Sequence, residues 1–85
     1  MPRVLVVDDT DDIRELVATL LRRKGFDVTT AAGGRQGVAQ ASSDQPDLIL
    51  MDLNMPDMDG WQATRTIREE GITTPVIALT AHLMT

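Results

Sequence analysis

The chain has 85 residues, 42% of them hydrophobic and 25% charged, a balance that fits one small folded domain and argues against disorder. Thirteen acids against eight bases leave a formal charge of -5, which speaks against binding a phosphate backbone. The absence of Cys excludes disulfides, zinc–thiolate sites and thiol catalysis, and a single His cannot build a His-rich metal site.

No apolar run approaches the ~18 residues of a membrane span. The apolar run after Met1, Pro2 and Arg3 is too short for a secretory signal, so a cytoplasmic protein is expected. In chain order, the continuous apolar run 4–7 predicts a strand buried on both faces, ending at Asp8 and Asp9. Ile13, Leu16, Val17, Leu20 and Leu21 then recur at helical spacing and predict a helix with these residues inward. Asp11 or Asp12 is its expected cap, with Glu15 three residues after Asp12. Arg22, Arg23 and Lys24 suit its negative C-terminal dipole, and Gly25 its stop. A second strand is expected over 26–30, a turn at Gly33-Gly34 and a weak helix over 35–42 containing Gly37. The third strand is the run 48–51, ending at Asp52. After a loop over 54–60, Asp59 caps a helix over 60–70, with Gln62 at the capping-box position and Trp61, Ala63, Thr64 and Ile67 inward. Gly71 ends that helix, and a fourth strand covers 76–79, stopping at Thr80.

Alternating apolar strands and amphipathic helices predict a parallel sheet covered on both faces. In such sheets ligands bind beyond the carboxyl ends of the strands. One rim therefore collects Asp8 and Asp9 from strand one, Asp52 from strand three and Thr80 from strand four. Asp pairs after strands often serve as turn formers or helix caps, so Asp8-Asp9 alone reads equally as cap or as site, and Asp52 alone would read as a turn residue. Their arrival together at the ligand-binding rim favours a site. Three clustered carboxylates repel one another, and a divalent cation resolves the conflict; all-oxygen donors suit Mg2+. A carboxylate held beside such an ion can act as a nucleophile toward phosphorus and form an acyl phosphate.

The segments Val4-Leu5-Val6-Val7-Asp8-Asp9, Met51-Asp52-Leu53-Asn54-Met55-Pro56-Asp57-Met58-Asp59-Gly60 and Ala78-Leu79-Thr80-Ala81, in this order and spacing, resemble the receiver domain of bacterial two-component response regulators. The resemblance runs from residue 3 to the end of the sequence. It implies a flavodoxin-like (CheY-like) three-layer α/β sandwich with a parallel sheet of strand order 2-1-3-4. It further implies phosphoryl transfer from a histidine kinase, or a histidine phosphotransfer protein, onto Asp52 with Mg2+ as cofactor. By position Asp9 resembles the direct Mg2+ ligand, Asp8 a ligand acting mostly through water, and the Asn54 backbone carbonyl the third protein ligand. Thr80 resembles the switch hydroxyl, Pro56 the proline shaping the loop after the acceptor, and Gly60 the glycine before helix three. The run Leu79-Thr80-Ala81-His82 resembles receivers attached to hybrid sensor kinases.

The family has five βα units, whereas residues 1–85 carry the N-terminal (βα)4-like portion, without β5 and the last helices. The Lys after strand five and the aromatic switch residue lie in the missing units, and Lys24, at the opposite rim, cannot substitute. The sequence thus predicts an apolar strand-four edge open to a homodimer or swapped oligomer. That edge motivates an alternative function, a self-associating structural or interaction module without phosphotransfer. A third reading, an Asp-nucleophile phosphatase of the haloacid dehalogenase type, is disfavoured because Asn54 stands where a second Asp belongs. Asp57 and Asp59 are expected as turn and cap residues, Met51 as core, Met55 and Met58 as half-exposed loop residues, and His82 as a surface residue.

Overall fold

A computed structural model of the protein describes residues 1–79; Thr80, Ala81 and His82 lie outside the described residues. The elements are β1 (Arg3–Val7), α1 (Asp11–Arg23), β2 (Asp27–Ala31), α2 (Gly34–Asp44), β3 (Leu48–Asp52), α3 (Gly60–Glu69) and β4 (Val76–Leu79). The strands form one parallel sheet in the order β2-β1-β3-β4, as expected. Among the described residues no helix is long and apolar enough to cross a membrane.

Each strand alternates between two cores, which makes three layers. Leu5, Val7, Ile49 and Met51 face α2 and α3 and pack with Val38, Ala41, Ala63 and Ile67. Val4, Val6 and Val28 face α1 and pack with Ala18. Val4, Leu5, Val6 and Val7 are all at most 1% exposed, so β1 is the covered centre of the sheet, as its unbroken apolar run requires.

Several expectations are corrected. The cap of α1 is Thr10, with Asp11 and Asp12 already inside the first turn. The chain turns at once after β1: the Asp8 carboxylate accepts the Thr10 N–H at 2.8 Å, so the helix begins before either expected cap. Asp11 and Asp12 still suit the positive end of the helix dipole. The inner face of α1 is narrower than its apolar stripe. Ala18 is buried, and Val17 and Leu21 pack beside it, while Ile13, Leu16 and Leu20 are exposed. The flank 13-16-20 lies one helical row beyond the row that meets the sheet.

β2 is shifted one residue from its expected bounds, and α2 is longer than expected, starting at Gly34 with Gly33 as its cap. In α3, Asp59 caps as expected, accepting the Gln62 N–H at 2.8 Å. Trp61, however, is 68% exposed. Gly60, Ala63 and Ile67 form the inner row, and Trp61, about 100° around the helix from Gly60, turns outward. Met55 is 7% exposed and belongs to the core, whereas Met58 is half-buried against it.

These burials set a contrast in stability. Ile49→Ala, which opens a cavity in the larger core, should cost about 2–5 kcal/mol. Trp61→Ala should change stability by no more than about 0.5 kcal/mol. Urea unfolding followed by circular dichroism measures both; equal losses would show that Trp61 is buried in solution.

Candidate functional site

β1 and β3 are neighbours in parallel register, Val7 opposite Met51. Asp8 and Asp52 are the next residues on each strand and therefore leave the sheet side by side. Asp9 follows in the β1–α1 turn. One carboxylate oxygen from each of Asp8, Asp9 and Asp52 lies within 4.8 Å of the other two. Asp8 is 3% exposed, Asp52 half-buried and Asp9 exposed, so the cluster opens to solvent on the Asp9 side.

The turn that carries the pair is held by backbone groups. Asp8 N–H donates to the Ala31 carbonyl at 3.1 Å, extending the β1–β2 ladder by one residue. The Arg14 guanidinium donates to the Asp8 carbonyl at 2.8 Å and pairs with Asp11 at 2.5 Å. That guanidinium serves the backbone and Asp11, and among the described residues no Lys or Arg forms an ion pair with Asp8, Asp9 or Asp52. Among the described residues, three carboxylates thus share a small volume without a counter-charge.

The loop 53–59 folds back on its own strand. Asp52 Oδ1 accepts the Asn54 N–H at 3.1 Å, and Gly60 N–H donates to the Leu53 carbonyl at 3.2 Å. Gly60 needs its missing side chain: a Cβ there would lie 2.8 Å from Leu53 Cα and closer still to the Asp52 carbonyl oxygen. Burial pushes the Asp52 carboxyl above the usual carboxylate range; the Asn54 N–H pulls it back, while the Asp8 charge and the hydrogen bond and charge of Asp9 add to the rise.

All-oxygen donors with an uncompensated negative charge, partly open to water, fit a hard divalent cation such as Mg2+. The half-buried Asp52 carboxylate, partly shielded from solvent, can act as an oxygen nucleophile.

Asp8, Asp9 and Asp52 are brought together as the sequence predicts. Asn54 is placed beside them through its N–H bond to Asp52, and Thr80 lies outside the described residues. Asp57 is exposed as expected, but it also pairs with Arg35 of α2 at 3.1 Å, a link across 22 residues for which the sequence carries no local signal. Gly34, expected in a simple turn, is buried in the first turn of α2 against Met58.

A family model described as the response regulator receiver domain matches residues 4–85. The chain is 39% identical over 80 residues to the regulatory protein AtoC of Escherichia coli, covering 94% of this chain and 17% of that protein. Its structure is similar to that of the chemotaxis protein CheY4 of Vibrio cholerae, with a TM-score of 0.91 and 38% identity over 96% of this chain and 70% of that one. It is also similar to the response regulator TrrA of Thermotoga maritima in complex with Mg2+–BeF, with a TM-score of 0.90 and 35% identity over 96% of this chain and 71% of that one. The chain spans about a third or less of the length of the curated relatives it matches.

The raised Asp52 carboxyl sets a pH dependence. A folded-state value above the unfolded one, near 3.8, favours the fold while Asp52 is protonated, and that contribution is lost as pH rises through the folded value. Asp52→Asn should therefore be more stable than the native chain at pH 7 in the absence of divalent ions. The gain should shrink below pH 4. Thermal unfolding of both chains across pH 3–7 measures this, and an equal gain at every pH would assign it to something other than ionisation.

Proposed function

The chain belongs to the response regulator receiver family, and we propose that it is a phosphoacceptor module of a two-component phosphorelay with Asp52 as the acceptor. The observation that carries this reading is the convergence of the Asp8, Asp9 and Asp52 carboxylates within 4.8 Å at the end of the parallel sheet, with no Lys or Arg paired to them among the described residues. A carboxylate oxygen of Asp52 attacks the phosphorus of a phosphohistidine on a kinase or phosphotransfer protein. The new P–O bond forms as the P–N bond breaks, and the imidazole leaves with the electron pair and takes a proton from solvent. Asp52 is both nucleophile and product, so the chain is not an enzyme with an external product.

Asp8, Asp9, Asp52 and the Asn54 carbonyl are the residues that would hold Mg2+, and TrrA, similar over nearly the whole of this chain, takes Mg2+–BeF. When bound, the ion offsets the repulsion of the carboxylates and draws charge from the phosphoryl oxygens. Asp8, anchored by the Thr10 N–H, is held in place; Asp9, exposed, can adjust to the incoming group. Thr80 is assigned the switch hydroxyl. Ile13 and Leu16, exposed on the end of α1 next to Asp8 and Asp9, offer apolar surface to the donor protein. The reading places the chain in the cytoplasm with its donor, residues 1–85 supplying the N-terminal part of a receiver domain. Binding to the nucleic acid backbone is not part of it, given the net charge.

The alternative, a self-associating module, draws on β4. Among the described residues it is the outer strand on its side of the sheet, and Ile77 and Ala78 are exposed. Such an edge can pair with a second copy. Light scattering that finds a folded monomer at all concentrations removes this reading.

The test of the acceptor reading is intact mass after incubation with Mg2+ and acetyl phosphate. One phosphoryl adduct is expected, absent in Asp52→Asn and reduced about 10²-fold or more without Mg2+, as removal of an electrostatic clamp on a developing charge implies. An adduct that survives Asp52→Asn assigns the acceptor elsewhere; a folded chain with no adduct, beside dimerisation, favours the structural module.

A further inference from the structure

The loop 53–59 carries the groups around Asp52, and its shape is set partly from outside. From within, Asn54 N–H binds the Asp52 carboxylate, Gly60 N–H binds the Leu53 carbonyl, and Met55 is buried in the core. From outside, the first turn of α2 lies on it twice. A Cβ at Gly34 would stand 2.8 Å from Met58 Cβ and 3.0 Å from Met58 Cγ, and closer still to the Met58 carbonyl oxygen. The next residue, Arg35, donates to both carboxylate oxygens of Asp57, at 3.1 and 3.3 Å. Two consecutive residues of one helix thus hold two consecutive residues of the acceptor loop.

We propose that Gly34 and Arg35 are positioning residues for the phosphoacceptor site: by seating the first turn of α2 on Met58 and Asp57 they hold loop 53–59 in the shape that presents Asp52 and Asn54 to the acidic cluster. This rests on the acceptor reading above and extends it to a helix that contributes no group to the cluster. The obstacle at Gly34 includes a backbone carbonyl, which cannot rotate away as a side-chain tip can. The helix is itself anchored, with Val38 and Ala41 buried in the core, and Gly60 is pressed against the backbone of Asp52 and Leu53. A side chain at position 34 is therefore accommodated by moving the loop, and a displacement at Met58 reaches Asp52 through Gly60. Ala is the better helix former, so helix propensity alone would favour the substitution. The Arg35–Asp57 pair is largely exposed and is the weaker of the two ties.

Gly37 provides a matched control. It lies in the same helix and also lacks room for a side chain, since a Cβ there would stand 2.9 and 3.0 Å from the Val7 methyls, but it faces the sheet and not the loop. The experiment compares Gly34→Ala, Gly37→Ala and Arg35→Ala in two readouts. Urea unfolding by circular dichroism reports stability. A Mg2+ titration by isothermal calorimetry reports the site. Gly34→Ala should bind Mg2+ about tenfold more weakly than Gly37→Ala, as expected when a binding geometry slips by a fraction of an ångström. Arg35→Ala should keep native stability and bind Mg2+ about twofold more weakly, in keeping with an exposed ion pair. Equal Mg2+ affinities in the two Ala-for-Gly chains overturn the proposal. If Gly34→Ala does not fold, an unchanged affinity in Arg35→Ala overturns it instead. A native chain that is folded but binds no Mg2+ overturns the acceptor reading together with this one, whereas native binding with indifferent variants overturns this one alone.

Discussion

β1 and β3 run parallel and in register, and the placement of the acidic groups follows from that pairing. With Val7 opposite Met51, the next residue of each strand is an aspartate, and both must leave the sheet at the same rim. The strands are held in that register by their burial on both faces. Leu5, Val7, Ile49 and Met51 fill one core, and Val4 and Val6 the other. A slip of one residue would exchange these sets and leave neither core filled. The apolar packing of the sheet thus supplies the constraint that keeps carboxylates together against their own repulsion.

The helices answer to the same geometry by being small where they meet the rim. Gly34, Gly37 and Gly60 are buried, and each occupies a place where a Cβ would meet backbone or a core side chain. Two of the three lie against the loop or strand end that carries Asp52. A site built this way has little tolerance for bulk nearby. Among the described residues it also leaves its charges without a basic partner, a cost in folding stability that a bound cation would relieve.

Most of the architecture was legible from short-range pattern. The apolar runs at 4–7, 48–51 and 76–79 became strands, and the polar ends of the first two, Asp8 and Asp52, became the rim. What misled was tertiary. Trp61 is large and apolar and sits one residue from the inner row of α3, yet close approach at Gly60 sets the rotation of the helix and turns Trp61 to solvent. Met55 lies in a loop rich in Asp and Pro, yet the loop folds back and buries it. The cap of α1 moved to Thr10 because Asp8 binds its N–H, a contact that depends on how the chain leaves the sheet. The exposed flank Ile13, Leu16 and Leu20 belongs to the same class, since helical spacing shows that a stripe is apolar but not how much of it a neighbouring sheet covers.

By itself the sequence determined the order and type of the elements, a parallel sheet covered on both faces, and the meeting of Asp8, Asp9 and Asp52 at one rim. These follow from periodicity and from the chirality of crossovers, which act over a few residues or one βαβ unit. Only the tertiary structure decided which carboxylate is buried and which is open, that Asp52 is disfavoured as an anion, and that Gly34 and Arg35 of α2 brace the loop beside it. Those properties depend on the distance between groups 20 or more residues apart. Such distances are set by how closely the layers pack, and no local pattern of residue types encodes them.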